Sequence, residues 1–421
     1  MLDAAAPPAR TEPAAGAPFR LTVAAHFVYA GQVGGAEHML YNLLRGLWQL
    51  DVALTVLCSD ASRMDPAFRD EMGQQSGRVR LVECGGPDPR FIAEQRACLL
   101  PGLQSDAVLF PNYFVPPVVP RRLGRVACVL HDMQYRHFSM NFSRRKRAWL
   151  RLAHALAVRR CDRLIVISEF VRQDALRFLG RGFEDKITVI PNPVSWERFG
   201  AIKPARPGPA SGPPRILSVA AHYDHKNMAT LVRAFAQVAA RRPDARLVLC
   251  GQDYNGLRGV AGTRGTLAGL AASLGVADQV EVTGYIDDAA LGRQFRDATM
   301  FAFPSIFEGF GMPPVEALGF GLPVLTTRCA ALPEVTLGLA QHVDDPHDAA
   351  EWSARMLDIL DHPGRYAPSS GQAAKVRAHY APDRIASQHL AAYRGEAPAA
   401  ALLGPGWDAG PAASAAFEAG R

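Results

Sequence analysis

The sequence predicts an α/β protein built as two Rossmann-like domains in series. Three observations point there. Short apolar runs alternate with segments of helical spacing. A stretch dense in Pro, Gly, Ala and Ser interrupts the rhythm at residues 199–214. The same alternation then restarts.

In the first half, "FRLTVAAHFVY" (19–29) reads as a strand. "GGAEHMLYNLLRGLWQL" follows as a helix, with Leu40, Leu43, Leu44 and Leu47 on one face. "VALTVLC", "AVLFP", "RVACVLHD", "RLIVISE" and "KITVIPNPV" are further strands, with helical segments between several of them. Apolar strands alternating with helices indicate parallel sheets buried on both faces. After the linker come "RILSVA", "ARLVLCG", "QVEVTGY", "TMFAFPS" and "GLPVLTT", a second parallel sheet. The expected boundaries are a disordered lead at 1–18, a first domain at 19–198, the linker at 199–214, a second domain at 215–395 and a disordered tail at 396–421. Two such domains place a ligand in the cleft between them, at the carboxyl ends of the strands.

Composition excludes several classes. With 48% hydrophobic and 20% charged residues, the chain reads as soluble and globular. No apolar run reaches the roughly 18 residues of a spanning helix, and the lead has no secretory h-region. Seven scattered cysteines without a CxxC pair fit reduced thiols in a cytoplasmic protein and argue against a Cys-based zinc site. The first 200 residues carry 26 Lys+Arg against 19 Asp+Glu, so the basic excess lies there. It is either solubility charge or an attraction for an anionic partner. No aromatic-rich basic strand or reader motif suggests nucleic acid. A nicotinamide enzyme would want GxGxxG after its first strand; "YAGQVGGAE" lacks it.

The densest chemistry lies in "FEGFGMPPVEALGFGLPV" (307–324), the turn after "TMFAFPS". Pro313 and Pro314 suit a first helical turn, so a helix is expected from Pro314, with Glu316 in its first turn and Glu308 in the loop before it. Glycines admit close approach of backbone N–H groups to a ligand, a helix N-terminus favours an anion, and two carboxylates accept hydrogen bonds from sugar hydroxyls. On spacing alone two readings stand: a site for a ligand carrying phosphate and sugar, or a self-capping Glu316 and a solvated Glu308.

This segment resembles the hallmark of retaining glycosyltransferase family 4, Glu, seven residues, Glu, and is closest to the bacterial mannosyltransferase-like branch. "GGAE" (34–37), "LHD" (130–132), "VISE" (166–169), "VIPNPV" (189–194), "HKN" (225–227), "TGYIDD" (283–288) and "LPEV" (332–335) fall in the family's order, and the likeness covers roughly residues 20 to 395. It implies a GT-B fold, two Rossmann-like domains facing each other across a cleft. It also implies transfer of a sugar, with mannose expected, from a nucleotide-sugar donor such as GDP-mannose to a glycan or polyprenyl-diphosphate-linked acceptor in bacterial polysaccharide biosynthesis. The implied chemistry is front-face attack with retention. Without an Asp-x-Asp signature, neither a metal nor another cofactor is expected.

By the same resemblance, Glu316 holds the donor ribose and Glu308 lies near the donor sugar, orienting it rather than attacking. The backbone of Gly309, Phe310 and Gly311 contacts sugar and phosphate, and Lys226 grips the diphosphate. Where many relatives have an arginine just before that lysine, this chain has His222 and His225. A neutral His donates one hydrogen bond but not a bidentate fork. Gly34 and Gly35 face the donor or simply turn the chain. His131 matches a cleft histidine near the transferred sugar; alone at a strand end it would read as structural. Ser168 and Glu169 face the acceptor or cap the next helix. Two alternatives remain: an epimerase or hydrolase that consumes the donor without an acceptor, and a catalytically weak nucleotide-sugar-binding protein.

"SRRKRAWLRLAHALAVRR" (143–160) is a basic amphipathic helix with Trp149, Leu152, Ala153 and Leu156 on one face. It either touches an anionic membrane, as a peripheral contact at the inner face of the plasma membrane, or packs on the core with solvated arginines.

Overall fold

A computed structural model describes residues 17–30, 34–85, 89–200, 212–251, 257–258 and 264–396. The expected linker falls mostly, and the expected lead and tail almost wholly, outside the described residues. The chain divides into two compact units: 1–167 with 172–190 and 382–400, and 168–171 with 191–381 and 401–421.

The first unit is built on β1 (Phe19–Ala24), β2 (Val52–Cys58), β3 (Val79–Glu83), β4 (Ala107–Phe110), β5 (Arg125–Leu130), β6 (Arg163–Val166) and β7 (Ile187–Val189), in the order β3-β2-β1-β4-β5-β6-β7. Every pairing in it is parallel. The order reverses at β1, so the loops after the paired strands β1 and β4 leave toward opposite faces and open the crevice where ligands bind in such sheets. The expected face of helix Gly35–Leu47 is its buried face, with Leu40, Leu43, Leu44 and Leu47 all inside.

The second unit carries β8 (Arg215–Val219), β9 (Arg246–Cys250), the two-residue pair β10 (Leu257–Arg258) and β11 (Arg264–Gly265), then β12 (Val280–Gly284), β13 (Met300–Phe303), β14 (Val324–Thr327) and β15 (Gln341–Val343). The main sheet runs β12-β9-β8-β13-β14-β15, again parallel. Helices Met228–Arg241 and Ala349–Asp361 enclose its core, where Leu231, Val232, Phe235, Trp352 and Met356 are buried. Leu231, Phe235 and Val238 recur at helical spacing, and burying a ring such as Phe235 contributes about 1.5–3 kcal/mol.

Both parallel sheets are as the sequence predicts. Strands β3 and β15 were not expected. Each closes an edge of its sheet, where one side lacks a partner and the run of residues is not uniformly apolar. The unit boundaries also differ from the expected ones. Helix Pro382–Arg394 belongs with the first unit, not with 215–395, because its apolar face, with Ile385, Ala386 and Leu390, packs along Gly35–Leu47.

Helix Arg144–Arg160 packs largely on the core. Leu150, Ala153, His154, Ala157 and Val158 are buried, and Trp149 lies 4.8 Å from the Phe91 ring, centroid to centroid. Of its expected apolar face only Leu152 is fully outward, 53% exposed. Among the described residues no helix is long and apolar enough to cross a membrane.

Candidate active site in the second unit

Strands β8 and β13 are hydrogen-bonded neighbours. The loops at their carboxyl ends therefore meet, and these two loops carry Lys226 and Glu308. The seam between them is hydrogen-bonded through the backbone. Ile306 N–H donates to the His225 carbonyl across 2.9 Å, and the buried Ser305 hydroxyl donates to the same oxygen. Asn227, in the left-handed region at φ 53°, closes the lysine loop and opens helix Met228–Arg241. Its side-chain amide donates to the Pro346 carbonyl.

Lys226 Nζ donates to Glu308 Oε1 at 2.6 Å. The two side chains are 17% and 12% exposed, so the pair is screened from water but still reachable. Nζ also lies 5.7 Å from the centroid of the Phe303 ring. A cation and a carboxylate whose sequence positions are 82 apart are thus one contact.

After Glu308 the chain passes through Gly309, the buried Phe310 and Gly311. The Phe310 ring packs edge-on against Tyr380, which leaves only its backbone to face a ligand. Gly311 adopts φ 90°, and a Cβ there would lie 2.7 Å from Leu332 Cδ2. Glycine alone suits both conditions. This left-handed cap starts the helix at Met312, not Pro314 as expected, and the helix runs to Gly319. Pro313 and Pro314 then occupy its first turn without costing hydrogen bonds, but they remove two N–H donors from the helix end. Glu316 falls in the second turn.

Glu316 is 3% exposed, and its Oε1 accepts a hydrogen bond from Arg198 at 2.6 Å. Arg198, 6% exposed, also pairs with Asp288 and stacks over Phe199. Burial pushes the Glu316 carboxyl up, and the Arg198 guanidinium opposes the rise. Trp196 Nε1–H donates to the Glu316 carbonyl. Sequence reasoning missed Arg198, Asp288 and Trp196. Arg198 and Glu316 are 118 positions apart, so no local spacing connects them.

His222 is buried, while His225 is half-buried with its ring stacked on Tyr223. Burial and the Lys226 charge push the His225 imidazole down to about 3, so it is neutral at physiological pH and supplies no second cation. Ser168, in the short segment that packs with this unit, accepts from Val171 N–H and donates to the Gly309 carbonyl at 2.7 Å. It therefore both caps its helix and braces the glycine turn. Glu334 accepts from the N–H groups of Glu169 and Phe170, and burial raises its carboxyl to about 7.

Three expected site residues lie in the first unit. His131 Nε2–H donates to the Pro111 carbonyl at 2.8 Å. That bond fixes the proton on Nε2 and leaves Nδ1 as the acceptor of the neutral ring, and burial lowers the pKa. Asp132 accepts from Gln134 N–H at 2.9 Å, holding the turn that leads into the next short helix. Gly34, at φ 67°, is the N-cap of helix Gly35–Leu47, and open space surrounds the Cβ positions of both Gly34 and Gly35. Among the described residues no group of three or more His, Cys, Asp or Glu could hold a metal ion.

Residues 33–198 match the family model described as Glycosyltransferase Family 4, and residues 201–376 match Glycosyl transferases group 1. The chain is 31% identical over 246 residues to a D-inositol 3-phosphate glycosyltransferase of Actinosynnema mirum, covering 56% of this chain and 58% of that protein. It is 40% identical over 81 residues to O-antigen chain mannosyltransferase B of Escherichia coli, covering 19% and 21%. The matched stretches thus span less than two thirds of these relatives. A sucrose-phosphate synthase from Thermosynechococcus elongatus superimposes with a TM-score of 0.68 at 20% identity, covering 90% of this chain and 98% of that one, a likeness of fold. With two parallel α/β sheets and a glycosyltransferase match in each half, the chain belongs to glycosyltransferase family 4 and has the GT-B fold.

Proposed function

We propose that this protein is a retaining hexosyltransferase that moves mannose from a nucleotide-sugar donor, GDP-mannose in this reading, to a glycan or polyprenyl-diphosphate-linked acceptor. The Lys226–Glu308 contact carries the proposal. Breaking a sugar–diphosphate bond leaves negative charge growing on the departing oxygens, and a preorganised cation there lowers the barrier. Lys226 is that cation, aided by the amides of the Gly309–Gly311 turn. Glu308, already within reach of Lys226, orients the sugar. The acceptor proton passes to the departing phosphate oxygen, so no protein carboxylate need attack the anomeric carbon.

Mannose is favoured by the likeness to the E. coli mannosyltransferase. A fixed lysine at the leaving group makes a divalent ion unnecessary in this scheme, and no other cofactor is required. Peripheral contact with an anionic membrane, at the inner face of the plasma membrane, is supported by the outward Leu152 beside exposed Arg144, Arg145, Arg151 and Arg159.

A thermal-shift panel of nucleotide sugars tests the reading, since a ligand of the folded state raises its stability. GDP-mannose is expected to give the largest shift, and its consumption with an acceptor present should yield a glycoside of unchanged anomeric configuration. Free mannose or an epimer as the sole product would instead establish a hydrolase or epimerase. A panel without any shift would overturn the reading. Activity is expected to survive EDTA; loss with EDTA and recovery with Mg²⁺ or Mn²⁺ would overturn the metal-independent scheme.

A further inference from the structure

Glu316 presents a problem of physical chemistry. A carboxylate 3% exposed is costly to ionise, yet an acceptor for two ribose hydroxyls should be anionic. The groups around it are Arg198 and Asp288 at the carboxylate, the Trp196 indole at its own carbonyl, and Arg377, which donates to the Gly319 carbonyl at the end of the same helix. Among the described residues, Arg198 is the one cation seen on the carboxylate. It is fixed from three sides: Asp288 on one terminal nitrogen, Glu316 on the other, and the Phe199 ring 4.2 Å below its central carbon. The segment that carries it is equally fixed. Phe199 packs against Phe295 and Phe320, and Trp196 lies where any Cβ on Gly319 would be.

We infer that Arg198 is a positioning residue for the donor: braced by Asp288, it keeps the Glu316 carboxylate anionic and aimed at the ribose. The inference rests on the reading of Glu316 as the ribose acceptor, and adds a residue that neither the two-glutamate spacing nor the family match assigns. Asp288, 41% exposed, anchors Arg198, while its own charge pushes the Glu316 carboxyl up, so it is the guanidinium contact that opposes both burial and Asp288.

Calorimetric titration of GDP and UDP into the full chain from pH 5 to 9 is the test. Wild type should lose affinity as falling pH protonates Glu316. In Arg198→Met the opposing cation is gone, so the loss should set in at higher pH, with affinity at pH 7 roughly tenfold weaker and recovering as pH rises. Arg198→Lys keeps a cation but not the fork that spans Asp288 and Glu316, so its pH midpoint should fall between those of wild type and Arg198→Met. Arg198→Met with Glu316→Gln leaves no buried charge unpaired, and guards against an unfolded single variant. If Arg198 acts through Glu316, this double variant should bind no more weakly than Glu316→Gln alone. A wild-type pH profile in Arg198→Met, or additive losses in the double variant, would overturn the inference while the ribose reading stands. Unchanged affinity in folded Glu316→Gln, or binding of neither nucleotide, would overturn the ribose reading and this inference with it.

Discussion

Lys226 and Glu308 form a 2.6 Å ion pair at the carboxyl ends of two adjacent parallel strands. Any anion that takes the lysine must compete with this carboxylate. Glu308→Gln should therefore tighten binding of a nucleoside diphosphate while lowering turnover, and Lys226→Ala should weaken binding and lower turnover roughly 10²–10³-fold. Titration calorimetry beside kcat measurements separates the two effects. Weaker nucleotide binding in Glu308→Gln would count against competition for the lysine.

Gly319 and Trp196 fit without spare room. A Cβ at Gly319 would lie 2.2 Å from the indole nitrogen. Gly319→Ala should cost about 1–3 kcal/mol by overpacking, read as a lower denaturant midpoint. Trp196→Phe, which loses the hydrogen bond to the Glu316 carbonyl, should cost about 1 kcal/mol from that bond. A Gly319→Ala variant as stable as wild type would show that the segment from Trp196 to Phe199 is not a brace.

Stability should fall in mild acid. Burial, with the Arg90 charge, pushes His26 down to about 4; burial, with Lys226, pushes His225 to about 3; burial alone pushes His389 to about 3. The unfolded chain takes up these protons near the ordinary value of 6.5, while the folded chain does not. The contribution is complete above about 6.5 and is lost as pH falls from there toward 3–4. The carboxyls of Glu94, Glu316 and Glu334, which burial pushes up, act the other way in this window. Five imidazoles oppose them, His154 and His342 also being pushed down to about 4. Unfolding at pH 5 should therefore take up protons, and Tm should drop between pH 7 and pH 5. His26→Leu should reduce that slope. A Tm independent of pH across this window would refute the account.

Replacing Arg144, Arg145 and Arg151 with Ser should reduce co-sedimentation with anionic vesicles and leave sugar transfer to a soluble acceptor intact. Each basic residue near such a surface contributes about 1 kcal/mol. Equal sedimentation before and after would remove helix Arg144–Arg160 from the membrane and leave it only its packing role.

Much was legible in the sequence because parallel strands buried on both faces write themselves as continuous apolar runs. The two sheets, their central strands and the buried face of Gly35–Leu47 follow from that local pattern. So does the 307–324 segment, where glycines, prolines and two glutamates sit within a few residues of one another. Edge strands β3 and β15 did not, since an edge needs no continuous apolar run. Tertiary structure alone decided the rest. Lys226 meets Glu308 only because β8 lies beside β13, an order set by long-range packing. Arg198 reaches Glu316 across 118 positions because the Trp196–Phe199 segment folds under the helix that carries the glutamate. Helix Pro382–Arg394 joins the first unit although it follows the second in sequence. Local spacing records which face a residue buries; which distant charge it meets is settled only when the strands take their order.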